Sequence, residues 1–494
     1  MSDVKPVRKL PEFYKRMGEF GRPIVAIDNS SLSRYNVNKE SITRAIEQKD
    51  ITSLREYSQY FFHSSGEYRR LVEYFGKLLT FDYVVVPTAA NRSKKTAGAN
   101  SKSEKALDLI LDYTSKSYVK ETAHKIALAV VKDGAFYGYE RELDGVYVTQ
   151  QLPTEFCRTR FMVDGVYSVE FNFDFFKQFR TDEEKKLAFE SFPAEFTKLH
   201  KLYERDNKLY QWQMLDPVFA RGHMLTDQVP FLTPVFIDLI ELEDYKQLDK
   251  QRSVQQVEEV IIQKIPLDED GEISMEMEEI ETLHQNARAT MGGSSRRVLT
   301  TPAEIKTLDF KNHVGAIQDD IEKATRMIYG SAGTPMVLFA SGASGSSVGL
   351  ERSGQTDEAI MYELLDQFER WYDNRFRALV SDKNVYYRMI FPHHSIFNIK
   401  EMQSQYQAAA TYGLPTKLLW MASLGIEQAE MLSLLDYENE TLKLPDLLIP
   451  VTSSHTQPGE SAGKEGGRPE SEEPLSEEGQ KTRDQNKNDS RGGK

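Results

Sequence analysis

The stretch from residue 301 to residue 379 most constrains what this chain can fold into. An extended segment at residues 298–310 leads into a helix pattern at residues 312–329. Apolar residues of that pattern recur at steps of three and four, which places them on one helix face. They are Val314, Ile317, Ile321, Ala324 and Ile328. The stretch therefore begins with a strand followed by an amphipathic helix.

A loop of small residues, 340–349, follows this helix, which Gly330, Gly333 and Pro335 bring to an end. A second helix, rich in aromatic residues, is predicted at about residues 357–379. Long loops between strong helices in a compact domain are usually functional or disordered. The loop is therefore the first candidate for function, and we expect it to face a channel.

Composition indicates a folded protein of several domains. The length of 494 residues suggests roughly three domains, and an apolar content of 39% with 26 Phe and 24 Tyr is ample for their cores. The net charge of −14 argues against a protein that grips nucleic acid tightly, because gripping requires clustered Lys and Arg. It does not exclude a protein that lets DNA slide past.

Cysteine content and hydropathy restrict the compartment. The one cysteine, Cys157, excludes a disulfide framework and a multi-cysteine zinc site, so a cytosolic chain fits best. No apolar run approaches the roughly 20 residues of a membrane span, and residues 1–10 have no hydrophobic signal core. We therefore expect no membrane association.

The first 232 residues predict a mixed α+β domain of helices and an antiparallel meander. Helical patterns dominate as far as about residue 125. The pairs Asp133-Gly134, Asp144-Gly145 and Asp164-Gly165 then stand between β-prone runs. Asp-Gly supplies the positive φ angles of tight hairpin turns, so three such pairs predict consecutive hairpins.

Two long helices with a small β–α–β insert between them come next. Thr233-Pro234 is a strong helix start, and that helix extends to about Arg252. The insert consists of a strand at 257–266, a short helix near 277–287 and the returning strand at 298–310. The helix at 312–329 then brings the chain back.

The C-terminal part predicts a strand, several helices and a tail. Residues 385–391 have a strand pattern, and helices are expected at 399–412 and 415–424. Residues 451–494 have no aromatic residue and little aliphatic content. Such a segment buries too little apolar surface to offset its conformational entropy, so we predict that it is disordered.

The sequence offers one weak motif for catalysis. Gly345-Ser-Ser-Val-Gly349 matches G-x-S-x-G, in which Ser347 would be a nucleophile with partners such as Asp357 and His393. That motif needs a preceding strand, a following helix and a parallel sheet, and the chain lacks βαβ alternation. A Gly/Ser run also produces the match by chance, so a flexible loop is the other interpretation.

Motifs for nucleotides and metals are missing from the sequence. It contains no Walker motif and no H-E-x-x-H. The pair His393-His394 could bind a metal or act as a base, but a structural role is favoured over either. We expect no metal site, no cofactor and no enzymatic activity.

Two groups of charged residues are candidates for binding surfaces. An acidic run is either a solvated face or a docking surface for a basic partner; it includes Asp268, Glu269, Asp270, Glu276 and Glu279. The second group lies on the 312–329 helix, opposite its apolar stripe. It consists of Asp319, Asp320, Glu322, Lys323 and Arg326. That group faces either bulk solvent or a water-filled pore, whose acidic wall would repel DNA phosphates.

Several segments together resemble a portal protein of tailed bacteriophages, in particular of phages that infect Gram-positive bacteria. In the β section these segments are Gln151-Leu-Pro-x-x-Phe-Cys-Arg158, Asp164-Gly-Val-Tyr167 and Phe171-Asn-Phe-x-x-Phe176. Residues 299–310, residues 326–335, the Gly/Ser loop and the hydrophilic tail after Pro450 also resemble the family. The resemblance covers nearly the whole chain.

The resemblance implies an α+β, portal-like fold with a wing, long stem helices, a small α/β clip and a helical crown. Its regions would be the wing (1–232), first stem helix (233–256), clip (257–310), second stem helix (311–331), tunnel loop (332–356), return helix and wing closure (357–398), crown (399–450) and disordered tail (451–494). The tunnel-loop residues at the DNA channel would be Ser341, Gly342, Ser344, Gly345, Ser346 and Ser347.

The resemblance also implies a function and a set of partners. The chain would form a dodecameric ring at one capsid vertex, through which double-stranded DNA passes without base recognition during packaging and ejection. Its partners would be the terminase, major capsid and scaffolding proteins, and head–tail connector proteins. It would occupy the host cytoplasm during assembly and then the virion. A serine hydrolase built on Ser347 and a monomeric scaffold or interaction protein are the alternatives.

Overall fold

The computed structural model describes residues 37–88, 97–143, 145–179, 181–225, 228–257, 259–266, 273–290, 296–301, 314–335, 338, 347–380 and 386–444. The chain divides into two units, residues 1–433 and residues 434–494. Its described part is rich in helix and contains small sheets of two or three strands, so the predicted mixture of α and β structure is confirmed. Among the described residues, none of the helices is long and apolar enough to cross a membrane.

The first helices of the described chain pack around an aromatic and aliphatic core. They are α1 (Lys39–Glu47), α2 (Ile51–Ser64), α3 (Gly66–Gly76), α4 (Ala97–Ser117) and α5 (Val119–Asp133). Tyr118 separates α4 from α5 with a left-handed φ of 47°. Buried residues such as Tyr68, Leu71 and Ile126 join these helices into the larger core.

The antiparallel strands form separate small sheets. They are β1 (Val84–Pro87) with β12 (Tyr387–Ile390); β2 (Ala135–Leu143) between β3 (Val146–Gln151) and β9 (Ala220–Met224); β5 (Met162–Val163) with β6 (Val166–Tyr167); and β7 (Glu170–Asn172) between β4 (Cys157–Arg158) and β8 (Trp212–Met214). Strands β2 and β9 are far apart in sequence, so the prediction of one consecutive meander is wrong.

Two of the three Asp-Gly pairs form the predicted hairpin turns. Asp164 and Gly165, with φ of 51° and 81°, join β5 to β6, and Gly145 lies in the two-residue turn between β2 and β3. Gly134 instead ends α5 with φ of 78°, and its N–H donates to the Val130 carbonyl. The hairpin predicted at Asp133-Gly134 is wrong, because a left-handed glycine also terminates helices.

A second core lies beside the β7 sheet and is made largely of phenylalanine. Helices α6 (Asp182–Ser191) and α7 (Ala194–Arg205) cover it. Its buried rings include Phe171, Phe173, Phe176, Phe192 and Phe196. Phe171 and Phe196 meet edge to face with centroids 5.1 Å apart, an arrangement that aromatic pairs favour.

The long helices and the insert follow in the predicted order. A short 3-10 turn, Thr233–Val235, leads into α8 (Phe236–Val257), and then come β10 (Glu259–Lys264), α9 (Met277–Thr290), β11 (Arg296–Thr301) and α10 (Val314–Ser331). Because β10 and β11 pair in parallel, the β–α–β prediction is confirmed. The Thr233 hydroxyl donates to the Pro230 carbonyl, so it does not act as the predicted N-cap.

The return helix, α11 (Ser347–Leu379), is ten residues longer than predicted. Residues 347–356, for which the sequence predicts a loop, are therefore helical. From Met361 onward α11 lies deep in the larger core, where Phe368 and Trp371 are fully buried. Asp373 and Glu369 of α11 accept the backbone N–H groups of Met389 and Phe391 at the outer edge of β12.

The last described elements are helical. They are α12 (Ile399–Thr411), α13 (Lys417–Ser423), α14 (Gln428–Asp436) and, in the second unit, a π-helical turn at Tyr437–Thr441. The first two match the helices predicted at 399–412 and 415–424. Residues 451–494, the predicted disordered tail, lie outside the described residues.

Candidate functional site

The two predicted stem helices, α8 and α10, pack against each other in antiparallel orientation. Near the start of α8, Asp238 accepts a hydrogen bond from Ser331 at the end of α10. Leu239 of α8 and Ile328 of α10 are buried in the same core. A pair of helices thus carries the chain to the β–α–β insert and back.

Two ion pairs join α8 to the N-terminal helices α1 and α3. Lys39 of α1 lies 2.6 Å from Glu241, and Lys246 lies 2.7 Å from Glu67 of α3. Burial raises the pKa of Glu67, but the hydrogen bonds from Lys246, from its own backbone N–H and from Ser65, together with the Lys246 charge, hold this pKa below its ordinary value. The first half of α8 is therefore held by salt bridges as well as by the core.

The charged side chains of α10 form ion pairs mainly with one another. Arg326 Nη2 lies 3.0 Å from Glu322 Oε1, and Lys323 Nζ lies 3.5 Å from Asp320 Oδ1. Glu322, Lys323 and Arg326 are exposed, Asp320 is half-buried, and Asp319 belongs to the same helix. The four side chains that the structure describes on this face, two acidic and two basic, leave it nearly balanced in charge and therefore less repulsive to phosphate than an acidic wall.

The acidic run is only partly described. Glu276 and Glu279 are exposed at the start of α9, where the Glu276 carbonyl accepts the N–H of Glu279. Asp268, Glu269 and Asp270 lie outside the described residues. Acidic residues at the start of a helix interact favourably with the helix dipole. Glu276 and Glu279 therefore stabilise α9 whether or not a partner protein binds there. Within the described ranges, no His, Cys, Asp and Glu side chains group closely enough to hold a metal ion.

Of the six tunnel-loop residues proposed to lie at the DNA channel, one lies in the described part of the chain. Ser347 is the first residue of α11, and Ser341, Gly342, Ser344, Gly345 and Ser346 lie outside the described residues. The catalytic alternative requires Asp357 and His393 near Ser347. Asp357 stands ten residues along the same helix, about 15 Å away along its axis at 1.5 Å per residue.

The two supposed partners of Ser347 have other contacts. Tyr74 donates a 2.8 Å hydrogen bond to Asp357 Oδ2, and the His393 ring stacks on Tyr362 at 4.2 Å between centroids. The parallel sheet that a nucleophile elbow requires is also missing nearby, since β10–β11 is the one parallel pair among the described strands. The structure does not assemble a triad at Ser347.

Two adjacent buried carboxylates near the start of α11 were not singled out from the sequence. Asp357 and Glu358 are 2% and 3% exposed, and neither forms a salt bridge with any described residue. Glu358 accepts hydrogen bonds from Ser395 and from Tyr362, the latter at 2.9 Å. Burial raises the pKa of Asp357 from 3.8 to about 6; the Tyr74 hydrogen bond opposes that rise, and the Glu358 charge adds to it.

We expect Asp357→Asn to stabilise the chain at pH 7 by about 2 kcal/mol. Because the folded-state pKa is raised, the folded chain binds this proton more tightly than the unfolded chain does. The associated stability is present below about pH 4 and is lost as the pH rises through about 6. Asn keeps an oxygen that accepts the Tyr74 hydrogen bond and removes the buried charge. Urea denaturation of both chains between pH 4.5 and pH 7.5 measures the difference.

Glu363→Gln is the matched control, because Glu363 is an exposed carboxylate on the same helix. It should change the unfolding free energy by less than about 0.5 kcal/mol at every pH. A difference between wild type and Asp357→Asn that does not grow from pH 4.5 to pH 7 would contradict the assignment of a raised pKa to Asp357.

His394 is a structural residue that ties distant segments together. Its Nδ1 lies 3.1 Å from Asp82 Oδ2 and its Nε2 lies 2.9 Å from the Tyr406 hydroxyl, while Lys120 Nζ lies 2.8 Å from Asp82 Oδ1. Burial raises the pKa of Asp82, but the hydrogen bonds to His394, Lys120 and Thr80, together with the Lys120 charge, lower this pKa overall. These contacts favour the structural role over the metal or base role for His394.

The comparisons with known proteins give a distant structural likeness. No protein-family model matches the sequence, and no curated protein matches it. The chain is similar to one in the neck of an empty gene transfer agent particle computed with C6 symmetry, at 11% identity and a TM-score of 0.38, covering 74% of this chain and 94% of that one. It is also similar to one in the virion of a native gene transfer agent particle, at 12% identity and a TM-score of 0.36, covering 74% and 89%. TM-scores of this size define neither fold nor function.

Proposed function

We propose that this chain is a phage portal subunit that assembles into a ring-shaped channel, as a dodecamer, at one vertex of a capsid. The observation that carries the proposal is the antiparallel pair α8–α10 with the β10–α9–β11 unit between its helices. This is the stem–clip–stem order that the sequence resemblance implies. Residues of α10 would line the channel, and the segment that includes residues 341–347 would face the DNA.

On this proposal the ring guides DNA by its shape and its charge and catalyses no reaction. Double-stranded DNA would pass without base recognition, driven by the terminase, and head–tail connector proteins would bind at the acidic clip. Major capsid and scaffolding proteins would surround the ring in the virion, after assembly in the host cytoplasm. The Gram-positive-host type rests on the sequence resemblance alone. A nearly balanced α10 face suits this role, because it neither holds phosphates strongly nor excludes them.

Native mass tests the ring directly. A closed dodecamer should have a mass of roughly 680 kDa, which is twelve times the 56.7 kDa chain. Native mass spectrometry or light scattering should find this species, and negative-stain averages should show a ring with a central hole. A chain that remains monomeric at high concentration would contradict the proposal and favour the scaffold alternative.

Ser347→Ala separates the portal proposal from the hydrolase alternative. On the portal proposal this variant should give the same native mass and the same ring averages as the unchanged chain. A hydrolase would instead lose its ester-cleaving activity on this substitution. Saturable ester hydrolysis that disappears with Ser347→Ala would contradict a purely structural role.

A further inference from the structure

Two neighbouring carboxylates join the beginning of α11 to two other parts of the chain. Asp357 Oδ2 accepts the 2.8 Å hydrogen bond from Tyr74 of α3. Glu358 Oε1 accepts a hydrogen bond from the Ser395 hydroxyl, and its Oε2 lies 3.3 Å from Nδ2 of Asn398. Ser395 and Asn398 lie in the segment that leads into α12, so successive residues of one helix hold both α3 and the start of α12. We name these five residues the α11 joint.

The turn before α12 is built around the Ser395 hydroxyl. Its oxygen accepts the N–H groups of Phe397 and Asn398 at 3.0 and 3.1 Å, while its hydrogen is donated to Glu358. The Asn398 side chain in return accepts the Ser395 N–H at 2.9 Å. Because one hydroxyl serves both the turn and the carboxylate, movement of Glu358 away from Ser395 disturbs the first residues of α12.

Close packing leaves α11 little room to slide past these neighbours. A Cβ added at Gly354 would lie 3.1 Å from the ring of Phe397, which is closer than ordinary van der Waals contact. The Tyr362 ring stacks on His393, and the Tyr362 hydroxyl lies 3.1 Å from Asn398 Nδ2. The beginning of α11 can therefore leave α3 and α12 only by opening the joint.

The buried charges of the α11 joint give it a reason to open. The titratable groups that face Asp357 are Tyr74 of α3 and Glu358 of its own helix, while Tyr362 and His393 lie beyond Glu358. From described residues Glu358 accepts three hydrogen bonds, whereas Asp357 accepts one. Burial raises the pKa of Asp357 to about 6, and the Glu358 charge adds to the rise. An ionised Asp357 is therefore stabilised when it is exposed to water.

We propose that the α11 joint is a proton-operated latch, closed while Asp357 is protonated and weakened when Asp357 ionises. A neutral carboxylic acid is tolerated in this buried site, whereas the ionised group beside Glu358 favours the open state, in which water solvates it. Opening releases the start of α11, which follows the Gly/Ser run at 340–349 in the sequence. The latch thus controls how firmly that run is anchored. It goes beyond the proposed ring, since it requires only contacts within one chain.

The sign and the size of the effect follow from the pKa of Asp357 in the two states. The closed joint binds the Asp357 proton more tightly than the open joint does, so opening becomes easier as the pH rises. With a pKa of about 6 when closed and 3.8 when open, the opening equilibrium constant should increase about tenfold from pH 5 to pH 7.5. Most of this increase should occur below pH 7.

Hydrogen–deuterium exchange of the full chain, followed by mass spectrometry, measures this opening. Peptides that cover residues 354–362 and 395–402 report on the two sides of the joint, and a peptide from residues 368–376 reports on the buried part of α11. After correction for the pH dependence of the intrinsic exchange rate, the first two peptides should show the increase of about tenfold together. They should also exchange at least about tenfold faster than residues 368–376, because the latch opens without unfolding of the core.

Two variants identify the group that operates the latch. Asp357→Asn keeps an acceptor for Tyr74 and cannot ionise, so exchange at both joint peptides should change less than about twofold between pH 5 and pH 7.5. Glu363→Gln, the exposed control on the same helix, should retain the full increase.

Three results would overturn the latch. An increase that persists in Asp357→Asn would assign the proton to another group, and an increase confined to residues 354–362 would show that the joint does not reach α12. Joint peptides that exchange as slowly as residues 368–376 would show that the joint opens only when the whole chain unfolds. Native mass is measured separately, so absence of a ring would count against the proposed function and not against the latch.

Discussion

Arg375→Met should lower the free energy of unfolding by about 3–5 kcal/mol. Arg375 Nε lies 2.6 Å from Glu140 Oε1, and the two side chains are 8% and 3% exposed. Tyr113 donates the other strong hydrogen bond to Glu140. Removing the guanidinium leaves a buried carboxylate without its counter-charge, a change that costs more than the loss of a surface pair. Urea denaturation followed by circular dichroism measures the effect.

Arg326→Met is the control, because Arg326 forms an Arg–Glu pair with Glu322 in which both side chains are more than 60% exposed. It should cost about 0.3–0.5 kcal/mol. Adding Glu140→Gln to Arg375→Met should recover much of the lost stability, because the buried charge is then removed. If the double variant is as unstable as the sum of the two single variants, Glu140 and Arg375 are not coupled as the structure indicates.

Local signals in the sequence were sufficient to predict many of the helices and hairpins of the fold. The helix periodicity that contains Ile321 and Ile328 predicted α10, and the Asp-Gly turns at Gly145 and Gly165 predicted two hairpins. These signals act over a few residues, where backbone preference and amphipathic spacing decide the outcome. The β–α–β insert was predictable for the same reason.

Long-range pairing was not predictable from one sequence. Strand β1 pairs with β12, where Val84 is matched with Ile390, and neither segment carries a pattern that selects the other. Gly134 shows a related limit, since the same dipeptide serves as a hairpin turn or as the end of a helix, depending on the segments that pack around it. The sheet order therefore depends on contacts that the sequence pattern does not contain.

The candidate site was likewise predictable from the sequence only in part. The charges at Asp320, Glu322 and Arg326 were predicted to share the face opposite the apolar stripe, and two of them form an ion pair there. The burial of Asp357 and Glu358 carried no sequence signal, because adjacent acids in a helix are usually solvated. Burial depends on which segments cover a residue, and here those segments include Tyr74 of α3 and Ser395, far away along the chain.

Trp371→Ala should lower the free energy of unfolding by about 3–5 kcal/mol, the range found when a large buried aromatic side chain is removed. Trp371 is fully buried in α11, and its Nε1 donates a 2.9 Å hydrogen bond to the Ala220 carbonyl of β9. The guanidinium of buried Arg221 lies 3.9 Å from the centre of its ring. The substitution leaves a cavity and also removes the ring that stabilises a buried cation. Thermal and urea denaturation measure the loss.

Two further variants separate these contributions. Trp371→Phe keeps an aromatic ring for Arg221 but removes the donor to Ala220, so it should cost about 1–3 kcal/mol. Tyr412→Ala removes an aromatic side chain that is 87% exposed and should change stability by less than about 0.5 kcal/mol. If Trp371→Ala costs no more than Tyr412→Ala, then α11 is not packed against β9 as the structure has it. A large loss for Trp371→Ala with a small one for Trp371→Phe would show that the ring, more than its hydrogen bond, holds the return helix in the core.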